Sequence, residues 1–259
     1  MPQYLDRISS FATELKYDDL PAEAVERAKY VYADSLAVIA AGAREEEVRE
    51  LTRRLAPPAG PASLLGPGKK ADALNAALIN GTAGTFLELD EGNQFARGHP
   101  AIHVVPAALA LAEERGLSGR DLIVALVAGY EIGARIGIAA KIRMSMHPHG
   151  TWGTVGAAVA AARLAGLDRD GVREIINVSS CLGLTTSRQT MLQGGTVRNF
   201  YSGASNYLGL MALKLVRSGF SGEADGLTTV YGSVISEVFE PKQMTAQLGR
   251  RYEILRNYF

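Results

Sequence analysis

The sequence predicts an all-α fold, a multi-helix, bundle-like domain. Apolar residues recur at every third or fourth position along nearly the whole chain, and Ala, Leu and Glu dominate these stretches, which is typical of amphipathic helices. Few runs alternate β-branched and polar residues, so a sheet is difficult to build. Consecutive helices on short loops favour a bundle.

Start and stop signals divide this pattern into elements. Asp18 to Pro21 begin a helix, Gly116 ends one, and Ser118 with Asp121 forms a capping pair for the next. The predicted helices cover residues 3–15, 21–41, 45–55, 71–87, 102–115, 118 to beyond 131, 150–164, 168 to beyond 176, and 197–216. Residues 59–70 are rich in Gly and Pro, with a short extended piece at SLLG, and residues 183–195 are polar and irregular. We assign residues 1–240 to one helical domain and residues 241–259 to a tail.

Composition excludes several function classes. Lys and Arg number 27, Asp and Glu also number 27, and no dense basic run occurs, so nothing in the charge favours nucleic acid or an anionic membrane. The single cysteine, Cys181, excludes an internal disulfide framework. The N-terminal segment is charged and has no apolar signal core, which predicts a cytoplasmic protein. The most apolar stretch, Leu122 to Ala140, contains Glu131 and Arg135, so no membrane span is expected.

All four histidines fall in two breaks between apolar helices. His99 and His103 lie in GHPAIH, directly after the acidic run of residues 88–91, while His147 and His149 lie in MHPHG. Imidazoles beside carboxylates are the usual groups for moving protons near neutral pH. If the two breaks meet in space, they form an active site. If they do not, they are separate polar loops, and spacing alone slightly favours that simpler interpretation.

A metal site is a further alternative. His99 and His103 are four residues apart, a spacing that can chelate a metal on a helix. Pro100 places a helix start between them, so His99 lies outside the helical phase and the metal hypothesis is the weaker one.

The second break leads into a glycine-spaced helix, with Gly150, Gly153 and Gly156 at intervals of three. A helix N-terminus has free N–H groups and a partial positive charge, which suit a carboxylate or phosphate. The alternative is close helix packing through small residues, and that alternative accounts for Gly153 and Gly156 whichever function holds.

A third polar segment, SRQTMLQGGTVRNFYSG, contributes Arg188, Gln193, Arg198, Asn199 and Tyr201. An arginine here could hold a carboxylate through two parallel hydrogen bonds. The alternative is an ordinary surface loop that turns at its two adjacent glycines.

Together these stretches resemble the MmgE/PrpD family, which includes 2-methylcitrate dehydratase, cis-aconitate decarboxylase and iminodisuccinate epimerase. The resemblance is carried by ELDEGN followed by GHPAIHVVPAALALAEERGLSGRDLIVALVAGYEIGARIG, then by HPHGTWGTVGAAVAAARLAGLD, and then by GGTVRNFYSGASNYLGLMALKLVRSGFSG. It implies an all-α first domain, no metal or organic cofactor, and a homodimer. It also implies proton removal or delivery at a carbon beside a carboxylate of a small di- or tricarboxylic acid.

The resemblance also assigns site residues. It implies a catalytic set of His99, His147, Glu88 and Asp90, with one histidine as base and the other as acid, and a substrate-binding set of Asn93, Arg198, Gly150 and Thr151. Glu88 replaces the commoner Asp of the family motif and Gly92 replaces a Thr, so Asn93 is expected to take over that hydroxyl's role. The ELDEGN form looks closer to the epimerase-like members than to the dehydratases and decarboxylases.

Family members usually continue past the equivalent of YEILRNYF into an α+β lid domain. We therefore expect this chain to lack that lid, with residues 241–259 leading toward it. Three hypotheses follow: one subunit of a two-chain lyase or isomerase with a separate lid-bearing partner, a truncated family member, or a non-catalytic helical scaffold.

Overall fold

A computed structural model describes residues 2–259 and confirms the all-α class. The helices are α1 (Gln3–Glu14), α2 (Ala22–Gly42), α3 (Glu46–Leu55), α4 (Ala73–Gly84), α5 (Pro100–Arg115), α6 (Gly119–Ala139), α7 (Trp152–Leu164), α8 (Arg169–Ser180), α9 (Arg188–Leu192), α10 (Phe200–Arg217), α11 (Gly226–Thr229) and α12 (Pro241–Thr245). The strands are β1 (Ala62–Leu64), β2 (Lys69–Ala71), β3 (Ala140–Ile142) and β4 (Ser236–Phe239), in two antiparallel pairs, β1–β2 and β3–β4.

Most helix bounds agree with the sequence signals to within one or two residues. The Ser118 side chain accepts a hydrogen bond from the Asp121 N–H while the Asp121 side chain accepts from the Ser118 N–H, forming the predicted capping box. Asp168 caps α8 in the same manner, through the Gly171 N–H. The extended piece predicted at SLLG is β1. It pairs with β2, and this pairing was not predicted from the sequence.

One helix and one polar segment differ from the prediction. The helix expected at 71–87 begins at Ala73, because Asp72 caps it, and ends at Gly84. Beyond that end the Thr85 hydroxyl hydrogen-bonds to the Asn199 carbonyl oxygen at 3.0 Å. The polar segment predicted to be irregular contains the short helix α9.

The core of the bundle is built around α7, which packs against α5, α6, α8 and α10. Nearly every residue of α7 is buried. Small residues permit this packing: a Cβ on Gly129 of α6 would lie 2.5 Å from the Gly156 carbonyl oxygen of α7. Close helix packing therefore accounts for Gly156, as the alternative interpretation predicts.

Helix α6 is long and apolar enough to cross a membrane, but 83% of its most apolar window is buried inside the protein. It is a core helix of the bundle. Its two charged side chains, Glu131 and Arg135, are fully buried and 3.1 Å apart.

These two side chains hold residues 241–259 onto the bundle. A Glu131 oxygen accepts hydrogen bonds from the N–H groups of Glu253 and Ile254. Arg135 donates at 2.9 Å to carbonyl oxygens that include that of Ala246. Tyr258 forms a bridge with Gly92. The predicted boundary at residue 240 therefore does not coincide with a gap in the packing.

Candidate active site

The four histidine side chains form one cluster, with His149 at its centre. The ring centroid of His149 lies 4.6 Å from that of His147, 4.7 Å from that of His103 and 5.0 Å from that of His99. All three pairs meet edge to face. The two histidine-bearing breaks therefore meet in space, which is the arrangement that an active site requires.

Local structure explains how the two breaks reach each other. Pro100 is the first residue of α5, so His99 lies at the N-cap of that helix and points out of its helical phase. His103 lies one turn further along, and its Nδ1 contacts the His99 carbonyl oxygen at 2.7 Å. A Cβ on Gly153 of α7 would lie 2.3 Å from the His103 ring. Glycine at that position lets α7 and the second break approach α5.

His99 is paired with Asp90. Its Nδ1 lies 3.0 Å from the Asp90 carboxylate and 3.2 Å from the Asp90 carbonyl oxygen. The hydrogen bond of His99 Nδ1 is with the Asp90 carbonyl oxygen. The Asp90 carboxylate is a buried counter-charge whose oxygens have no hydrogen-bond partner among the described residues. With two oxygens facing Nδ1, this nitrogen carries the proton in the neutral ring and Nε2 keeps its lone pair. Burial opposes charging of His99, but Asp90 outweighs burial and raises the His99 pKa above its ordinary value.

His147 has the opposite character. The His149 backbone N–H donates to His147 Nδ1 at 3.1 Å, so Nδ1 is an acceptor and the proton of the neutral ring lies on Nε2. Burial lowers the His147 pKa to about 4, and charges on His99 and Arg188 add to this effect. His147 is therefore a neutral hydrogen-bond donor near neutral pH.

The other two histidines are fully enclosed. Burial lowers the pKa of His103 to about 4 and holds that of His149 well below its ordinary value. His103 Nε2 and His149 Nδ1 have no hydrogen-bond partner among residues 2–259. No group of three or more His, Cys, Asp or Glu side chains within the described part of the chain is arranged to hold a metal ion.

The acidic run is divided between two partners. Asp90 contacts His99, whereas Glu88, in a left-handed backbone conformation with φ 56°, forms an ion pair with Arg198. Arg198 is buried and also donates to Asn199 Oδ1 at 3.0 Å. Burial lowers the Arg198 pKa below its ordinary value. Glu88 therefore lies with the arginine and not with a histidine, and the charge of Arg198 is already balanced.

The Asn93 side chain makes its hydrogen bonds within the protein, and substrate binding by this residue stays a prediction. Asn93 is fully buried, and its oxygen accepts hydrogen bonds from the N–H groups of Phe95 and Ala96. Its nitrogen donates to the Tyr130 hydroxyl and to the Glu253 carbonyl oxygen. Both ends of the amide are satisfied within the protein, so Asn93 shapes the loop before His99.

Gly150 and Thr151 are both buried, and the Thr151 hydroxyl donates to the Pro148 carbonyl oxygen at 2.5 Å. A Cβ on Gly150 would lie 2.9 Å from Thr186, and the Gly150 carbonyl oxygen accepts from the Leu184 N–H. The segment around Leu184 therefore packs on this helix start, and substrate binding by Gly150 and Thr151 stays a prediction.

Sequence reasoning missed two features of the site. One is the central position of His149, which no spacing rule indicates. The other is Glu91, which is fully buried beneath the histidines and accepts hydrogen bonds from the Tyr130 hydroxyl at 2.5 Å and from the Ala101 N–H at 3.1 Å. Burial raises the Glu91 pKa to about 7. Glu91 lies between Asp90 and Gly92 at the end of the acidic run, and the sequence gave no signal that its side chain would be fully enclosed.

Comparison with known proteins agrees with this geometry. The family model of the MmgE/PrpD N-terminal domain matches residues 6–247. The chain belongs to the MmgE/PrpD family. Membership accounts for the helical domain and for the order of its acidic, histidine and arginine segments, and the predicted resemblance is confirmed.

Curated relatives are named as decarboxylases, which are lyases. Cis-aconitate decarboxylase from Aspergillus terreus is 30% identical over 242 residues, covering 88% of this chain and 48% of the relative. The cis-aconitate decarboxylase-like protein oryM from Aspergillus oryzae is 26% identical, covering 95% of this chain and 55% of the relative. The human cis-aconitate decarboxylase is 34% identical over 116 residues, covering 40% of this chain. The chain thus spans about half the length of the two Aspergillus relatives.

Proposed function

We propose that this MmgE/PrpD chain carries the proton-transferring residues of a lyase that acts on a small di- or tricarboxylic acid. The observation that carries the proposal is the pairing of His99 with Asp90 in one cluster with a differently tuned His147. Two titratable groups whose environments push their pKa values apart are the usual basis for assigning different roles at one active site.

His99 is the proposed proton carrier. Asp90 stabilises its charged form, so the ring can hold a proton and release it near neutral pH. In a decarboxylation, the bond to the departing carboxylate breaks and its electron pair stays on the substrate carbon. A proton from His99 Nε2 then neutralises that carbon. In a dehydration, the same nitrogen removes a proton from the carbon beside the carboxylate, and the electron pair forms the double bond as hydroxide leaves the next carbon. In an epimerisation, the same nitrogen removes that proton, and a proton returns to the opposite face of the carbon.

His147 is the proposed electrophile. As a neutral ring with its proton on Nε2, it can donate a hydrogen bond to the carboxylate that takes up negative charge as the carbanion forms. A neutral imidazole performs this role without first having to lose a proton, and a pKa held near 4 keeps it neutral. His103 and His149 are proposed to position the two rings without contacting substrate.

The relatives suggest cis-aconitate as the first compound to test. Purified protein is incubated with cis-aconitate in D2O, and NMR follows both the loss of substrate and the entry of deuterium at carbon. We expect turnover in the wild type and a loss of about a hundredfold or more for His99→Gln and for His147→Gln, the usual range for general acid–base groups.

Far-UV circular dichroism and thermal unfolding check that the variants keep their fold, and Cys181→Ser, which changes an exposed side chain away from the cluster, is the activity control. Turnover by His147→Gln and His99→Gln at the wild-type rate would remove the proposal. Deuterium entry without loss of substrate would show proton removal and return at carbon in place of lyase chemistry.

We also propose that a second structural unit covers the site. Support comes from apolar side chains that stay exposed beside the site residues: Leu89 next to Asp90, Val197 next to Arg198, and Leu192 at the end of α9. A lid-bearing partner or a second copy in a homodimer could supply this cover. Excluding water would strengthen every charge interaction at the cluster.

A further inference from the structure

A cavity of about 300 Å³ lies against His147, outside the histidine cluster. Its apolar wall includes Ile142 and Met146, and three arginines stand around it: Arg97, Arg143 and Arg188. Small-molecule sites span ~300–1,000 Å³. This cavity is at the lower end of that range, which suits a small acid better than a ligand of coenzyme size.

Backbone pairing fixes Arg188 at this cavity. The His147 N–H donates to the Thr186 carbonyl oxygen at 3.1 Å, and the Thr186 hydroxyl donates back to the His147 carbonyl oxygen at 2.6 Å. The Arg188 N–H continues the pairing to the Ser145 carbonyl oxygen at 2.9 Å. The guanidinium of Arg188 is close enough to His147 that its charge helps to lower the pKa of that ring, after burial and His99.

Arg97 reaches the cavity from the opposite side, on the loop before His99. The Asn93 side chain closes that loop by accepting two backbone N–H groups, and Arg97 adopts a left-handed conformation with φ 57°. The loop packs tightly on α6, where a Cβ on Gly137 would lie 2.6 Å from the Ala96 carbonyl oxygen. The conformation of Arg97 is thus imposed by its neighbours on both sides.

The three arginines differ in their partners. Arg143 pairs with Glu237 at 3.0 Å. Arg97 and Arg188 are exposed and make no ion pair with any carboxylate of residues 2–259. Arg198, the arginine that the sequence assigned to the substrate, is balanced by Glu88. Of the arginines that line this cavity, Arg97 and Arg188 are therefore the two without a carboxylate partner among the described residues.

We propose that Arg97 and Arg188 form a carboxylate subsite at this cavity. It holds the carboxylate of the substrate that does not react, while the reacting carbon lies between His99 and His147. This inference rests on the proposed function and deepens it, because it selects acids with at least two carboxylates. Guanidinium groups bind carboxylates through paired, charge-assisted hydrogen bonds, and the apolar wall contacts the carbon chain between the two carboxylates.

Binding by calorimetry tests the subsite independently of turnover. Cis-aconitate, with three carboxylates, is titrated at fixed ionic strength into the wild type and into Arg97→Gln, Arg188→Gln and Arg143→Gln. We expect Kd to rise about tenfold for each of the first two variants, the loss of one charge-assisted contact in a half-open site. Arg143→Gln is the matched control, because its arginine lines the same cavity but is already paired, and its Kd should change by less than about twofold.

Crotonate, with one carboxylate, is the second probe. Its binding should be equal in the wild type and in both subsite variants. Absence of cis-aconitate binding to the wild type, an unchanged Kd in Arg97→Gln and Arg188→Gln, or an equal loss in Arg143→Gln would each overturn the subsite. Since His99→Gln and His147→Gln are scored by turnover, failure of the subsite and failure of the proposed chemistry give different results.

Discussion

Chemically identical side chains acquire different properties in this cluster because of their nearest neighbours. His99 faces a buried carboxylate, which raises its pKa, whereas burial, helped by charges on His99 and Arg188, lowers the pKa of His147 to about 4. His149 contacts both rings, and its own pKa is well below its ordinary value. One charged imidazole beside neutral ones is the arrangement that repulsion among like charges favours.

Replacing Asp90 tests the assignment of His99. Removing the carboxylate takes away the main effect that opposes burial, so the His99 pKa falls. Asp90→Asn should therefore move the limb of the kcat/KM profile that reports His99 to lower pH. A carboxylate raises the pKa of a neighbouring histidine. When that carboxylate is neutralised, the histidine therefore loses its proton at a lower pH. The measurement is a pH–rate profile for wild type and variant with cis-aconitate.

Glu88→Gln is the matched control for this profile, since Glu88 is on the same acidic run but pairs with Arg198. It should leave the position of the His99 limb where it is. A shift of that limb in Glu88→Gln, or no shift in Asp90→Asn, would contradict the pairing.

The sequence predicted which residues lie near one another but not which partner each side chain contacts. His99, His147, Asp90, Glu88 and Arg198 are the residues that the resemblance singles out, and they lie in two connected groups. Asn93 accepts hydrogen bonds from backbone N–H groups, and Glu88, which was expected to tune a histidine, pairs with Arg198. Such roles depend on side-chain direction and on contacts distant in sequence, which spacing does not encode.

At the scale of elements, caps predicted the helices well because capping is local. Ser118 and Asp168 each accept a backbone N–H hydrogen bond at the start of their helix, as predicted, whereas the cap that Asp72 forms was not predicted. The hairpin of β1 and β2 and the short helix α9 were harder to predict. These pieces are too short for a periodic signal, and contacts with the rest of the bundle decide their conformation.

The contact between α6 and α7 should be sensitive to a single methyl group. In Gly129→Ala the new Cβ would lie 2.5 Å from the Gly156 carbonyl oxygen and 2.9 Å from Val104. We expect the free energy of unfolding to fall by ~1–3 kcal/mol, the usual cost of overpacking a core. Urea denaturation followed by circular dichroism measures this change.

Gly119→Ala is the control for that variant. Gly119 is in the first turn of the same helix and a Cβ there meets nothing within 4 Å, so alanine should be neutral or stabilising by up to about 1 kcal/mol. Equal stability of the two variants would show that the α6–α7 approach is looser than described.

At the scale of the whole molecule, one helix connects the core to the site and to the C-terminal segment. Tyr130 of α6 donates to Glu91 beneath the histidines, and Glu131 and Arg135 on the same helix hold residues near Ala246 and Glu253. Removing one partner of such a buried ion pair leaves an uncompensated charge and destabilises the protein. The family resemblance predicted the helical domain. It did not predict that residues 241–259 pack on that domain, because the sequence of a short apolar segment does not reveal which surface it contacts.

The proposed chemistry depends on a difference in pKa and tautomer between His99 and His147. Long-range proton–nitrogen NMR of 15N-labelled protein, recorded from about pH 4 to about pH 9, reports the tautomer and the titration of each imidazole. We predict that His99 carries its neutral-state proton on Nδ1 and titrates above 6.5, while His147 carries its proton on Nε2 and stays neutral down to about 4. Adding cis-aconitate should shift the signals of both rings. Titration of His147 above His99, or the reverse pair of tautomers, would contradict the account.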